Sequence, residues 1–295
     1  LSVEAGDLVV RKSYGRDIMF RVTAIRGGEA ELLGEELRLA ADAPLEDLEK
    51  VEEGERRKRK KAARQKEEDC YRLFRQEARK IRAQSEYEAT SGYQSESDFF
   101  ELPGRVLHID GDANYLERCE RVYERAGIPV YGVHTAEEKM ADEMPSLLEM
   151  VRPSIVVITG HDAYWPAKGE TNDLKAYRNS KNFGRAVRAA RNVVPQMDEL
   201  IIFAGACQSY FEHLLKAGAN FASAPERINI HALDPVYIAA RISFTPFMER
   251  VKLHELLRNT PSGEGGLGGI DTKGVLRRGL PAAKAVGPNY RLHLK

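Results

Sequence analysis

Cysteine is scarce in this 295-residue chain, with only Cys70, Cys119 and Cys207 present. An odd, sparse count excludes a disulfide scaffold and suits a reducing compartment. A charge excess is also missing: 45 Lys+Arg balance 45 Asp+Glu, for a formal net charge of zero. Such a chain has no overall field to gather nucleic acid or an acidic membrane, and neither is expected as a partner. No run approaches the ~18–20 consecutive apolar residues of a membrane span. Leu1 to Asp7 lacks the basic-then-apolar order of a secretory signal. The seven histidines form no His/Cys cluster at zinc spacing, so no metal is expected. What remains is a globular composition, 42% apolar and 31% charged, of a length that suits about two domains.

Three regions differ along the chain. Over residues 1–43, short apolar runs (Leu8–Val10, Ile18–Val22, Ala30–Leu33, Leu37–Leu39) are separated by glycine turns. That pattern predicts a small SH3-like β-barrel. Residues 44–100 read as a charged helical connector with Pro44 near its start, followed by a polar loop, Thr90 to Asp98, exposed to proteolysis. Eight basic residues fall between Arg56 and Lys66. They fit either an acidic-surface contact or a solvated helix face, since neighbouring acids nearly cancel them. Residues 101–295 alternate strand and helix. Strands are expected at 105–109, 128–133, 154–159, 200–204 and 228–231, and helices at 114–126, 136–151, 180–192 and 209–217. The expectation is an α/β domain with a mainly parallel sheet covered by helices on both faces. Gly263 to Gly269 reads as a flexible loop.

Ligands of an open α/β sheet bind outside the carboxyl ends of its strands. The residues that follow the predicted strands are Asp110-Gly111-Asp112, Gly160-His161-Asp162 and Gly205-Ala206-Cys207-Gln208. His161 and Cys207 each follow an apolar run and a short glycine turn, one crossover apart, so neighbouring strands would point both into one cleft. An imidazole can then take the thiol proton, and a helix start just after Cys207 would lower the thiol pKa. The Cys207 backbone N–H is a candidate oxyanion donor. The same two residues also fit a small buried hydrophobe and a structural histidine, and pattern alone leaves both readings open. Cys70 and Cys119 lie inside predicted helices and read as structural.

The pairing of His161 with Gly205-Ala206-Cys207-Gln208 resembles the clan of caspases, legumains, gingipains and separase. That clan usually has glycine after the histidine. Here Asp162 stands there, so its backbone N–H is the expected second oxyanion donor. A closer resemblance rests on His108–Asp112, Ile158–Tyr164, Asp173–Ser180, Phe203–Ser209, Ala217–Ser223 and Asn229–Val236. On these stretches the chain resembles the YabG family of sporulation-specific peptidases. The resemblance implies a caspase-like fold and a cysteine endopeptidase with His161 and Cys207 as its dyad, needing no cofactor. It also implies spore-coat and cortex-associated protein substrates, cleavage next to basic residues, and self-cleavage. The location implied is the mother-cell cytoplasm of a sporulating bacterium, in association with the spore coat.

Basic specificity calls for an acidic pocket. Candidates are Asp110, Asp112, Asp162 and Asp234, with Asp234 preferred, although each also fits a cap or turn. Asp112 is a credible cap for the following helix, and the Asp162 side chain fits an organiser of loop backbone. Tyr164, Trp165 and Tyr177 are candidates for the cleft wall or for packing. Self-cleavage would fall in the Thr90–Asp98 loop or the Arg-rich connector. Two other classes stay open. His108–Asp112 resembles the start of a receiver domain, but that phosphoacceptor chemistry needs an Asp ending the third strand and a Lys ending a later one. A non-catalytic coat-assembly adaptor would use the barrel and basic helix as contact surfaces.

Overall fold

The structure is a computed structural model that describes residues 2–89, 100–258 and 260–279. The glycine-punctuated start forms strands β1 (Leu8–Arg11), β2 (Met19–Arg26), β3 (Glu29–Gly34), β4 (Ala40–Pro44) and β5 (Leu48–Lys50). They make one antiparallel sheet in the order β4-β3-β2-β1-β5. It runs past residue 43 to Lys50 because β5 pairs with β1. Helix α1 (Glu53–Ala89) therefore begins nine residues after the expected Pro44, which instead closes β4. This helix is docked rather than free. Tyr71 and Phe74 are buried, and Arg118 and Arg125 of the following domain pair with Glu67 and Glu68.

The alternating part begins with β6 (Phe100–Leu102), β7 (Val106–Asp110), α2 (Ala113–Ala126), β8 (Val130–His134), α3 (Met140–Val151) and β9 (Ile155–Thr159). It continues with α4 (Ser180–Val193), β10 (Ile201–Ala204), α5 (Phe211–Ala217), β11 (Phe221–Ser223) and α6 (Asp234–Phe244). Helix α7 (Leu253–Arg258), helix α8 (Gly263–Gly266), β12 (Leu267–Gly269) and β13 (Arg277–Gly279) complete it. The main sheet has the order β8-β7-β9-β10-β11-β12, parallel except for β12. This is a mixed α/β fold. The period of two along β7 sends Leu107 and Ile109 to a core with Met144 and Phe183, from α3 and α4. Val106 faces the other core, with Cys119 and Tyr123 of α2 and Ile238 of α6. His108 and Asp110 share that second face by the same alternation.

Four expectations need correction. Leu37–Leu39 is not a strand of the N-terminal sheet; Leu37 bridges to His231 and Leu39 to Asp162. Ile228–His231 forms only that bridge, and the fifth parallel strand is β11 instead. Alanine-rich Asp234–Phe244, read as no element, is the buried helix α6. Gly263–Gly269 is a short helix and an edge strand, not a flexible loop. It is ordered because backbone hydrogen bonds to β11 need no side chains, and glycine lets the edge approach Phe221 closely. The Thr90–Asp98 loop lies outside the described residues.

Candidate active site

In the β8-β7-β9-β10-β11 order the crossovers reverse direction between β7 and β9, which opens a crevice at their carboxyl ends. Asp110 closes β7, and Thr159 closes β9 two residues before His161. Cys207 follows the end of β10, beside β9. The three loops therefore converge on one end of the sheet, and His161, Cys207 and Asp110 are all buried there.

The Cys207 turn is built from local backbone. Gly205 sits at φ +114°, where a Cβ would lie 2.3 Å from the Ser223 hydroxyl, so only glycine fits. Gln208, at φ 55°, completes the turn in the left-handed region. Helix α5 starts only at Phe211 and has seven residues, so it does not begin directly at the thiol as expected. Burial pushes the Cys207 thiol well up, and its Sγ accepts from Ile230 N–H at 3.2 Å.

His161 is positioned from three sides. Its N–H donates to Glu137 Oε1 (3.0 Å), its carbonyl accepts from Asn179 Nδ2 (2.8 Å), and its ring packs at a tilt against Tyr115 with centroids 5.2 Å apart. Nε2 lies 3.8 Å from Asp112 Oδ2. Asp112 also caps α2, accepting from the N–H groups of Asn114 and Tyr115. Burial lowers the imidazole pKa to about 4, against the opposing pull of Asp112. As pH falls below the ordinary histidine value, the unfolded chain takes up a proton that folded His161 refuses until about pH 4. Stability should therefore fall between about pH 6.5 and 4. His108 and His231 are lowered too, with the same sign. His161→Gln should flatten part of that slope in urea midpoints measured across the range.

The Asp162 side chain organises both loops. Oδ1 accepts from the N–H groups of Ala163 (2.9 Å) and Asn179 (2.7 Å), and Oδ2 accepts from the hydroxyls of Ser180 (2.5 Å) and Ser209 (2.8 Å). Ser209 Oγ in turn accepts from Ala206 N–H at 2.9 Å, which ties the His161 loop to the Cys207 turn. Asp162→Asn replaces an acceptor of two hydroxyl protons by a donor. It should cost about 1–3 kcal/mol of stability, read as a lowered urea midpoint.

One contact set was not foreseen from sequence. The segment Glu36–Ala40 runs through the crevice, and the Arg38 carbonyl oxygen accepts from Cys207 N–H (3.0 Å) and Asp162 N–H (3.2 Å). Arg38 N–H donates to the Ile230 carbonyl (3.4 Å), and Ala232 N–H donates to the Glu36 carbonyl (3.0 Å). Beyond Arg38, Ala40 N–H donates to the Asp162 carbonyl at 3.0 Å. Arg38 itself sits at a tight turn, with Leu39 N–H on the Leu37 carbonyl at 2.7 Å. Its guanidinium is fully buried, with Nη1 3.0 Å from Asp110 Oδ1 and Nη2 2.9 Å from Oδ2. Nε donates to the Ala232 carbonyl at 3.0 Å, and Tyr115 and Cys119 of α2 wall the pocket. Burial alone would raise the Asp110 carboxyl, but Arg38 and His108 outweigh it and hold it well below the usual range. Sequence reading placed Arg38 in a barrel strand, and only the buried cation facing a strand-end acid exposes its position.

The other candidates lie elsewhere. Asp234 accepts from His231 N–H (2.8 Å) and Ser262 N–H (3.2 Å) at the start of α6, and it has no bond to the guanidinium. Tyr164 packs at a tilt against Tyr177, centroids 5.2 Å apart, and its N–H donates to Gln208 Oε1 at 3.1 Å, beside the Cys207 turn. No group of three or more His, Cys, Asp and Glu able to hold a metal occurs among the described residues. No helix among them is long and apolar enough to cross a membrane.

By class, this is a mixed α/β protein whose strand-end crevice holds the main chain of a polypeptide segment, here its own Glu36–Ala40. The chain matches the family model of the YabG peptidase U57 over residues 4–281. It is also 51% identical over 286 residues to the sporulation-specific protease YabG of Bacillus subtilis (strain 168), spanning 95% of this chain and 99% of that protein. The chain belongs to the YabG peptidase U57 family.

Proposed function

We propose that this peptidase is a cysteine endopeptidase acting in sporulation, on spore-coat and cortex-associated proteins, and that it cleaves after basic residues, arginine above all. The carrying observation is the Arg38 carbonyl, held by two backbone N–H groups while its side chain meets Asp110. That arrangement suits a residue on the acyl side of a scissile bond. The His-then-Cys order at neighbouring strand ends supports a caspase-like scaffold, and the five-stranded N-terminal sheet suits a small SH3-like barrel.

Each group has a role on this reading. A substrate strand adds antiparallel to Ile230–Ala232, where main-chain hydrogen bonds give affinity and the Asp110 pocket gives specificity. Cys207 attacks the carbonyl carbon. His161 receives the thiol proton and returns it to the leaving amine, with the Asp112 carboxylate favouring the imidazolium in between. The Cys207 and Asp162 N–H groups hold the oxyanion, each worth about 3–4 kcal/mol in the transition state. Water then hydrolyses the thioester. Asp110 binds the substrate cation, whereas Asp234 shapes the Ile230–Ala232 edge through His231 N–H.

The test is hydrolysis of peptides that differ only at one position, arginine against glutamine, by the full chain with and without iodoacetamide. Cleavage after arginine that alkylation of Cys207 abolishes is the expected result. Cleavage that persists once mass spectrometry shows Cys207 itself alkylated would refute the thiol mechanism, and equal rates on both peptides would refute the basic preference.

A further inference from the structure

The crevice is filled by the chain's own segment. Glu36–Ala40 lies where the preceding reading seats a substrate, with Arg38 in the pocket, its carbonyl on both oxyanion donors, and pairing to Ile230–Ala232 before it. Arg38 and Cys207 have no solvent exposure and His161 has 2%. We propose that the Arg38–Leu39 peptide bond is this enzyme's first substrate, cut within the same molecule, and that the intact segment blocks other substrates until then. This rests on the cysteine-peptidase reading of the site.

The step balances without any further reagent but water. Cys207 Sγ bonds to the Arg38 carbonyl carbon as the C–N bond to Leu39 breaks. The thiol proton passes through His161 to the Leu39 amine. Water adds to the thioester, leaving an Arg38 carboxylate and a restored thiol. The tether favours the reaction within one molecule, because the segment is held on both sides of the bond. Leu37 pairs with His231, and Ala40 leads directly into β4. Another molecule could reach this bond only after the segment had left its own crevice. Cutting separates Arg38 from β4; β3 still pairs with β4, and Tyr115 and Arg118 still hold the Leu37 and Glu35 carbonyls, so it is the new Arg38 end, bound by the Ile230–Ala232 edge and the pocket, that can give way to outside polypeptide. The cut falls in neither the Thr90–Asp98 loop nor the Arg-rich connector, the two places favoured by sequence.

The experiment follows chains made by cell-free synthesis, sampled over time at concentrations differing about 100-fold. Mass and N-terminal sequence are read together with hydrolysis of an added arginine peptide. The expected result is a new N-terminus at Leu39, appearing with a concentration-independent rate constant, and peptide hydrolysis rising in step with it. Arg38→Gln should abolish this cut. A tagged, folded Cys207→Ala chain mixed with wild type should stay intact at the same bond. Peptide hydrolysis by chains that remain whole at Arg38–Leu39 would overturn the inference and leave the peptidase reading standing. So would cutting of the Cys207→Ala chain by wild type, or a rate proportional to concentration. Absence of both cutting and peptide hydrolysis would overturn the two together. If Arg38→Gln does not fold, the wild-type termini and the mixing experiment still decide.

Discussion

Cys207→Ala should reduce kcat/KM on an arginine peptide by about 10⁵-fold or more while leaving the protein folded. The two parts of this expectation have separate causes. On the proposed mechanism, loss of activity follows from removing the atom that would form the acyl bond, which the proposed oxyanion donors cannot replace. Such a loss corresponds to about 7 kcal/mol of transition-state stabilisation. Retention of the fold follows from the local bonding. The Cys207 side chain gives up one bond from Ile230 N–H at 3.2 Å and a weak one to the Ile230 carbonyl at 3.5 Å. The backbone N–H stays on Arg38 and Gly205 still makes the turn. A change of about 1–2 kcal/mol in stability is expected, read from urea midpoints. His161→Ala should lose activity on a similar scale. A folded Cys207→Ala chain with near-wild-type turnover would remove the dyad and require another catalytic group, whereas no turnover by either chain would favour a non-catalytic adaptor.

The second large effect belongs to Asp110. Asp110→Asn leaves the Arg38 guanidinium buried without its charge partner, and breaking such a pair costs about 3–5 kcal/mol. On the proposed self-cutting, a Cys207→Ala background keeps the segment whole, so its urea midpoint should drop by that equivalent. The pH dependence has a definite sign. Because the folded carboxyl sits below its ordinary value, Asp110 contributes fully above the usual carboxylate pKa. The contribution declines as acid protonates the unfolded chain first, and Asp110→Asn should lose that acid-limb slope. In a chain with Cys207 intact and Arg38–Leu39 already cut, Asp110→Asn should lower kcat/KM for arginine peptides by about 10²–10³-fold and for glutamine peptides far less. Asp234→Asn, at a carboxyl bound only by loop and helix-start groups, should leave the arginine preference intact. The reverse pattern would move the pocket to Asp234.

The positions of the main elements were legible because their patterns are local. Apolar runs of five residues bounded by glycine gave β7, β9 and β10 to within a residue or two, and amphipathic spacing gave α2 and α4. The same locality misled where pairing is settled elsewhere. Leu37-Arg38-Leu39 has the composition of a barrel strand, yet its hydrogen bonds go to Asp162, Cys207 and Ile230. Alanine-rich Ala239-Ala240 hides α6, because a helix buried all round carries no polar face to mark it. Helix α1 read as a solvated connector because its few apolar residues, Tyr71 and Phe74 among them, are sparse among charges and become visible only where they touch α6.

The sequence by itself determined the family, the α/β alternation, and the two strand ends that carry His161 and Cys207. Those depend on residue types at short spacing, and short spacing is what a chain records directly. Only the tertiary structure decided which carboxylate meets the buried cation and what fills the crevice. Asp110 and Asp234 are equivalent in sequence, each a strand-end or turn acid. The face of β7 points Asp110 toward Arg38, while local N–H groups already satisfy Asp234. Arg38 lies 72 positions before Asp110 and 194 before Ala232, and bonds over such separations exist only once the sheet and its loops have assembled.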